Sequence, residues 1–175
     1  MKVISNSGPL IALGKLNRLN LLKELYGKVL VPDIVYREVV VEGMRLGEID
    51  AFRADLLVDK VLIPLATEFE TSDMEREYGI HPGEAAAIKL ALDECADLTL
   101  IDDLQARTAA RENNLKIKGA VGVLVDSYKK GFINFYEFES LINELAERKD
   151  IWVSGELCKD ILKRMKDIND GQNNI

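Results

Sequence analysis

The chain has 175 residues, 47% of them hydrophobic, which is enough for one substantial core and short for two full domains. Its 30 acidic residues against 23 Lys and Arg give a formal charge of −7, so the field of the whole protein repels nucleic acid, and such a partner needs a local basic patch or bound cations. Cys95 and Cys158 lack CxxC spacing and point to reduced thiols, not a disulfide framework or zinc knuckle; no apolar run reaches membrane-spanning length and MKVISNSG is too short for a signal peptide, so a cytoplasmic protein without a membrane partner is expected.

Short β-branched runs recur at Lys2–Ser5, Lys28–Val31, Val61–Leu65, Leu98–Ile101 and Leu115–Lys118, separated by sequence of helical period. Ser7-Gly8-Pro9 opens the first crossover, whose apolar face runs from Leu10 to Leu25 with a break near Asn17–Asn20. Pro32 ends the second strand and starts a helix to about Val41; a second helical stretch, Gly47–Val58, follows the Glu42-Gly43 region. Pro82-Gly83-Glu84 opens an Ala-rich helix to about Glu94. Asp102 and Asp103 precede another that ends at Asn113-Asn114, and Gly119 precedes a third that ends near Gly131. Two amphipathic helices close the chain, near Tyr136–Arg148 and Ser154–Lys166, joined by Asp150-Ile151-Trp152-Val153, with Trp152 read as core packing.

Apolar strands alternating with helices predict an α/β fold, a three-layer α/β/α sandwich around a parallel sheet of about five strands. Residues 1–133 are expected to form the α/β domain, 134–169 helices packed on it, and 170–175 a frayed tail.

In an open parallel sheet ligands bind beyond the carboxyl ends of the strands. Asn6-Ser7 follows the first strand, Glu38 lies on the helix after the second, Glu84 begins the helix leading to the fourth, and Asp102-Asp103 follows the fourth. Carboxylates gathered at one edge repel unless a divalent cation holds them ionised, which implies Mg²⁺ or Mn²⁺. Each acid also has an ordinary reading: Glu84 favours a helix N-terminus, one of Asp102 and Asp103 is an N-cap, and Glu38 alone is a solvated carboxylate. Their joint occurrence favours a shared site. The cap is assigned to Asp103 and the metal to Asp102. Arg107 either contacts a substrate phosphate or pairs with a carboxylate one turn away. His81 reads as a partly exposed loop residue, and Lys15/Arg18 and Lys129-Lys130 as solvated surface. Without a GxxxxGK[ST] or GxGxxG motif, a nucleotide- or flavin-binding module is disfavoured.

The segments VISNSGPLIAL, LVPDIVYREV, HPGEAAAIKLAL, LTLIDDLQARTAA and the Gly119–Leu124 run resemble, in that order, the successive motifs of PIN domains, closest to a prokaryotic, VapC-like branch. The resemblance extends through Leu141–Leu145 and IWVSGELCKDIL. It implies a metal-dependent endoribonuclease whose acidic quartet binds Mg²⁺ or Mn²⁺ and directs a water at a phosphate of single-stranded RNA, with an antitoxin protein and a second copy of the chain as further partners. By position, Asn6 stands where the family has its first Asp, and Glu38, Glu84 and Asp102 match the other acids. Ser7 is the nearby hydroxyl, and Asp103 is a further candidate metal ligand. Ala120 stands where the family often has Thr or Ser. Asn6 keeps the shape of Asp and an oxygen for a cation, but brings no charge and accepts no proton from water. A slow nuclease and a PIN fold retained for binding both remain open on this reading.

Overall fold

The computed structural model describes residues 1–67 and 70–172. Five strands form one parallel sheet: β1 (Val3–Ser5), β2 (Val29–Pro32), β3 (Leu62–Leu65), β4 (Leu98–Leu100) and β5 (Ile117–Lys118), in the order β3-β2-β1-β4-β5. The expected five-stranded parallel sheet is therefore present, with ends within two residues of those read from the sequence. Val3, Ile4 and Ser5 are all fully buried, which is why the central strand shows no polar alternation.

Alternate residues of β1 serve opposite layers. Val3 packs in the larger core with α1 (Ser7–Lys15), α2 (Asn20–Tyr26) and later helices, whereas Ile4 packs against Ala87, Leu90 and Ala91. The chain break expected near Asn17–Asn20 is real: Asn17 adopts a positive φ of 56° between α1 and α2. After β2 the backbone coils without interruption through α3 (Asp33–Tyr36), a π-helical turn (Arg37–Glu42) and α4 (Gly43–Leu46). The helix thus does not stop at Glu42-Gly43 as the sequence implied. Gly43 instead lets α5 (Ile49–Asp55) cross closely, since a Cβ there would lie 2.6 Å from that of Ala51. Gly47, with φ +77°, supplies the actual turn.

Beyond β3 lie α6 (Ser72–Tyr78), which the sequence reading passed over, α7 (Pro82–Asp93) and, after β4, α8 (Leu104–Glu112). Small residues on α7 and α8, including Ala85, Ala106, Ala109 and Ala110, pack with Ile88 and Ile101 in a second core. After β5, α9 (Ala120–Lys129) returns to the larger core and receives α10 (Phe135–Glu147), with the Tyr128 and Phe138 rings stacked at 5.4 Å between centroids. The last helix, α11 (Gly155–Gln172), buries Cys158 and Met165 and runs past the point where the tail was expected to fray; residues 173–175 lie outside the described residues. Trp152 departs furthest from expectation, being 93% exposed while its neighbour Ile151 occupies the core. Among the described residues no helix is long and apolar enough to cross a membrane.

Candidate active site

The chain runs from β1 outward to β2 and β3, then returns to place β4 and β5 on the other side of β1. The order therefore reverses between β1 and β4, and a crevice opens beyond their carboxyl ends. Ser5 pairs with Leu100 in this register and Asn6 N–H donates to Leu100 O at 3.1 Å, so Asn6 and the Asp102 segment emerge side by side. The crevice belongs to a groove of about 1370 Å³ that Asn6, Glu38, Glu84 and Asp102 all line.

Asn6 is only 2% exposed and its Oδ1 has no hydrogen-bond partner. Asp102 is similar on one side: Oδ1 accepts Ala120 N–H at 2.8 Å, whereas Oδ2 is buried and unpartnered. Both free oxygens stand 3.7 Å from the point a Cβ on Gly8 would occupy, so they share one small space beside that glycine, and the added Cβ would lie 3.3 Å from that of Asp102. Gly119 is tighter still, since a Cβ there would lie 2.3 Å from Asp102 Oδ1. The N–H that holds Asp102 comes from the backbone of Ala120, a donor that does not depend on the side chain at that position.

Glu38 projects from the π-helical turn, a feature often found at functional sites. A Cβ on Gly83 would lie 2.8 Å from both of its carboxylate oxygens, which places Glu38 beside the first turn of α7 and hence beside Glu84. Glu84 has an immediate structural role, accepting His81 N–H at 2.9 Å through Oε2 and so capping α7. Asp103 caps α8 by accepting Ala106 N–H at 2.8 Å, in agreement with its assignment as the cap. Arg107 follows neither sequence reading simply: its guanidinium donates to Ile101 O at 2.8 Å, near Asp102. Lys15 and Arg18, read as solvated surface, face acids instead: Lys15 meets Asp150 at 2.9 Å and Arg18 stands 3.9 Å from Glu137.

The electrostatics are those of acids lacking a counter-cation. Burial pushes Asp102 up to about 6, against the opposing pull of Ala120 N–H and Arg107. Burial also raises Glu38, offset by the Ser7 hydroxyl and His81. Glu84 rises for the same reason, with Asp103 and Glu38 adding like-charge repulsion. Two unpartnered buried oxygens aimed at one small space, with further carboxylates in the same groove, make a donor set suited to a hard cation. The side chains as placed are not drawn into a cage: among the described residues, no three His, Cys, Asp or Glu groups converge on one point.

The sequence over residues 2–167 matches the pattern that defines the PIN domain. The chain belongs to the PIN domain family. No curated protein sequence matches it. The PIN match spans both the α/β core and the C-terminal helices, and it agrees with the sheet order and the clustering of acidic residues at the strand ends. A nuclease-type fold follows from that membership.

What sequence reasoning missed at this PIN site is the role of its glycines. Gly8, Gly83 and Gly119 each abut a site side chain so closely that a Cβ would press on Asp102 or Glu38. Their position next to Ser7, Glu84 and Ala120 was the available signal.

Proposed function

We propose that this PIN domain is a metal-dependent endoribonuclease of the VapC-like prokaryotic branch, cutting single-stranded RNA as the toxin-like partner of an antitoxin protein. The observation that supports it most directly is the pair of unpartnered oxygens, Asn6 Oδ1 and Asp102 Oδ2, beside Gly8 at the point where the strand order reverses. Mg²⁺ or Mn²⁺ would be held by Asn6 and Asp102, with Glu38 and Glu84 as the remaining ligands and Asp103 as a nearby acid. When bound, such an ion neutralises charge on the phosphate and acidifies a water for attack.

The protein's own groups have distinct parts. Glu38 lines the groove, and burial raises its carboxyl above its ordinary value against the opposing pull of the Ser7 hydroxyl and His81, which suits a general base. Arg107, anchored on Ile101 O, keeps further N–H donors for a phosphate oxygen. Asn6 contributes an oxygen without charge, so both metal affinity and rate fall below those of a site with four carboxylates. That neutral residue, together with Glu84 Oε2 being engaged in the α7 cap, favours a second reading in which the fold binds RNA or protein with little hydrolysis.

Incubation of single-stranded RNA with the protein and Mn²⁺ separates the two. The enzyme reading expects cleavage by the native sequence, abolished by Glu84→Gln and increased by Asn6→Asp. Cleavage only after Asn6→Asp would favour the binding module, and none from either protein would overturn the nuclease reading.

We further propose a cytoplasmic homodimer that uses the exposed Ile49, Phe52 and Leu56 on and just after α5. Residues 134–169 are proposed to extend the 1–133 domain, because Phe138, Ile142 and Leu145 pack in the same cluster as Val3.

A further inference from the structure

Trp152 is the only tryptophan of the chain and lies on the loop between α10 and α11, 93% exposed. It lines the same groove as the candidate catalytic residues. Its exposure does not come from a slack loop. On one side, Asp150 accepts Arg148 Nε at 3.0 Å and Lys15 Nζ at 2.9 Å, which ties the loop to the end of α1. Ile151 is buried in the core, and on the other side Ser154 Oγ accepts Leu157 N–H at 3.3 Å. Ile151 turns inward between these contacts, and the indole stands in solvent. A large aromatic exposed on the rim of a groove that also holds the candidate catalytic residues points to a ligand.

The groove's charges indicate the kind of ligand surface it would meet. Lys15 is paired with Asp150 and Lys118 with Asp126, Arg107 lies at the acidic floor near Asp102, and Glu38, Glu84 and Asp102 face the same space. With a chain charge of −7, little attraction remains for phosphates away from the acidic floor. A strand reaching that floor needs a contact that does not depend on charge, and stacking of a base on an aromatic ring is such a contact. The indole's chain neighbours Lys149, Asp150 and Ser154 are exposed and polar, and Leu157, also on the groove, is half-exposed.

We propose that Trp152 is a stacking platform on the rim of the groove, taking one unpaired nucleobase of single-stranded RNA whose backbone reaches the acidic floor; this rests on the reading of the groove as a ribonuclease site.

The single tryptophan makes the test direct. A short oligoadenylate, the same strand paired with oligouridylate, and an abasic ribose-phosphate strand of equal length are titrated into the full chain with Mn²⁺ while indole fluorescence is followed. Quenching by the unpaired strand alone is expected. In anisotropy with a labelled strand, Trp152→Ala is expected to weaken binding about 5- to 150-fold and Trp152→Phe only a few-fold, the range that corresponds to loss of one stacked base. Equal quenching by the abasic strand, or unchanged affinity in Trp152→Ala, would overturn the proposal. So would a Trp152→Ala variant that loses self-association in sedimentation velocity while still binding RNA normally, because it would assign the indole to a protein interface. Quenching without cleavage upholds stacking and rejects the ribonuclease reading; cleavage without quenching does the reverse.

Discussion

Replacing Asp102 by Asn isolates the cost of a carboxylate at the point where the strand order reverses. Burial holds the Asp102 carboxyl at about 6 in the folded protein against an ordinary value of 3.8, so its ionised form is disfavoured by folding. The sign follows from that direction. Below the unfolded value both states are protonated and the full stability is present; as pH rises through the folded value, stability is lost. The difference of roughly two pH units corresponds to about 3 kcal/mol at most. Asp102→Asn cannot ionise and keeps the shape that accepts Ala120 N–H through its carbonyl oxygen. Without divalent metal it is therefore expected to be more stable than the native chain by about 3 kcal/mol at pH 8, and by close to nothing at pH 3.5. For a chain of this size that is about 6–12 °C in melting temperature. Differential scanning calorimetry in EDTA at the two pH values measures it. Adding Mn²⁺ at pH 8 is expected to raise the native melting temperature and leave Asp102→Asn nearly unmoved, because only the former gains binding energy in the folded state. A stability gain that is the same at both pH values, or a loss at pH 8, would refute the view that an uncompensated charge is stored at this residue.

Gly119→Ala places a Cβ against Asp102 Oδ1 and is expected to displace that carboxylate, eliminating Mn²⁺-dependent stabilisation in a thermal-shift assay. Gly43→Ala brings two β-carbons to 2.6 Å at the crossing with α5, an overpacking of about 1–3 kcal/mol that should appear as a lower urea midpoint with unchanged slope. Phe52→Glu, on an exposed face of α5, is expected to shift sedimentation velocity toward monomer with little change in melting temperature; an unchanged dimer would place the interface elsewhere.

The sheet was legible because strands buried on both faces are mostly apolar, and β1, β2 and β4 stand out from their flanks for that reason even though β1 and β4 each carry one buried hydroxyl residue, Ser5 and Thr99. The positions of Asn6 and Asp102 could be read because each closely follows a strand, and Asp103 could be named as a cap because it immediately precedes a helix. Their proximity to one another was not encoded locally, since it depends on β4 pairing beside β1. The π-helical turn that presents Glu38 was hidden within Val39-Val40-Val41, a run whose composition is compatible with helix or strand. Gly43 resembled a helix end because a glycine that admits a neighbouring helix and one that ends a helix are the same letter. Helix α6 was overlooked although Ser72-Asp73-Met74-Glu75 carries acids suited to a first turn. Trp152 was assigned inward because aromatic residues usually are; the loop had one inward position, and Ile151 filled it.

The contact between Ala120 N–H and Asp102 Oδ1 has a consequence for synthesis on the ribosome. Asn6, Glu38, Glu84 and Asp102 all leave the ribosome before the Gly119-Ala120 turn does, and β1 waits for β4 to gain a neighbour on that side. A truncated or half-made chain thus contains all four candidate side chains without the crevice that unites them. For a protein whose proposed activity is directed at RNA, the site would be complete only once the Gly119-Ala120 turn has been made and can hold Asp102.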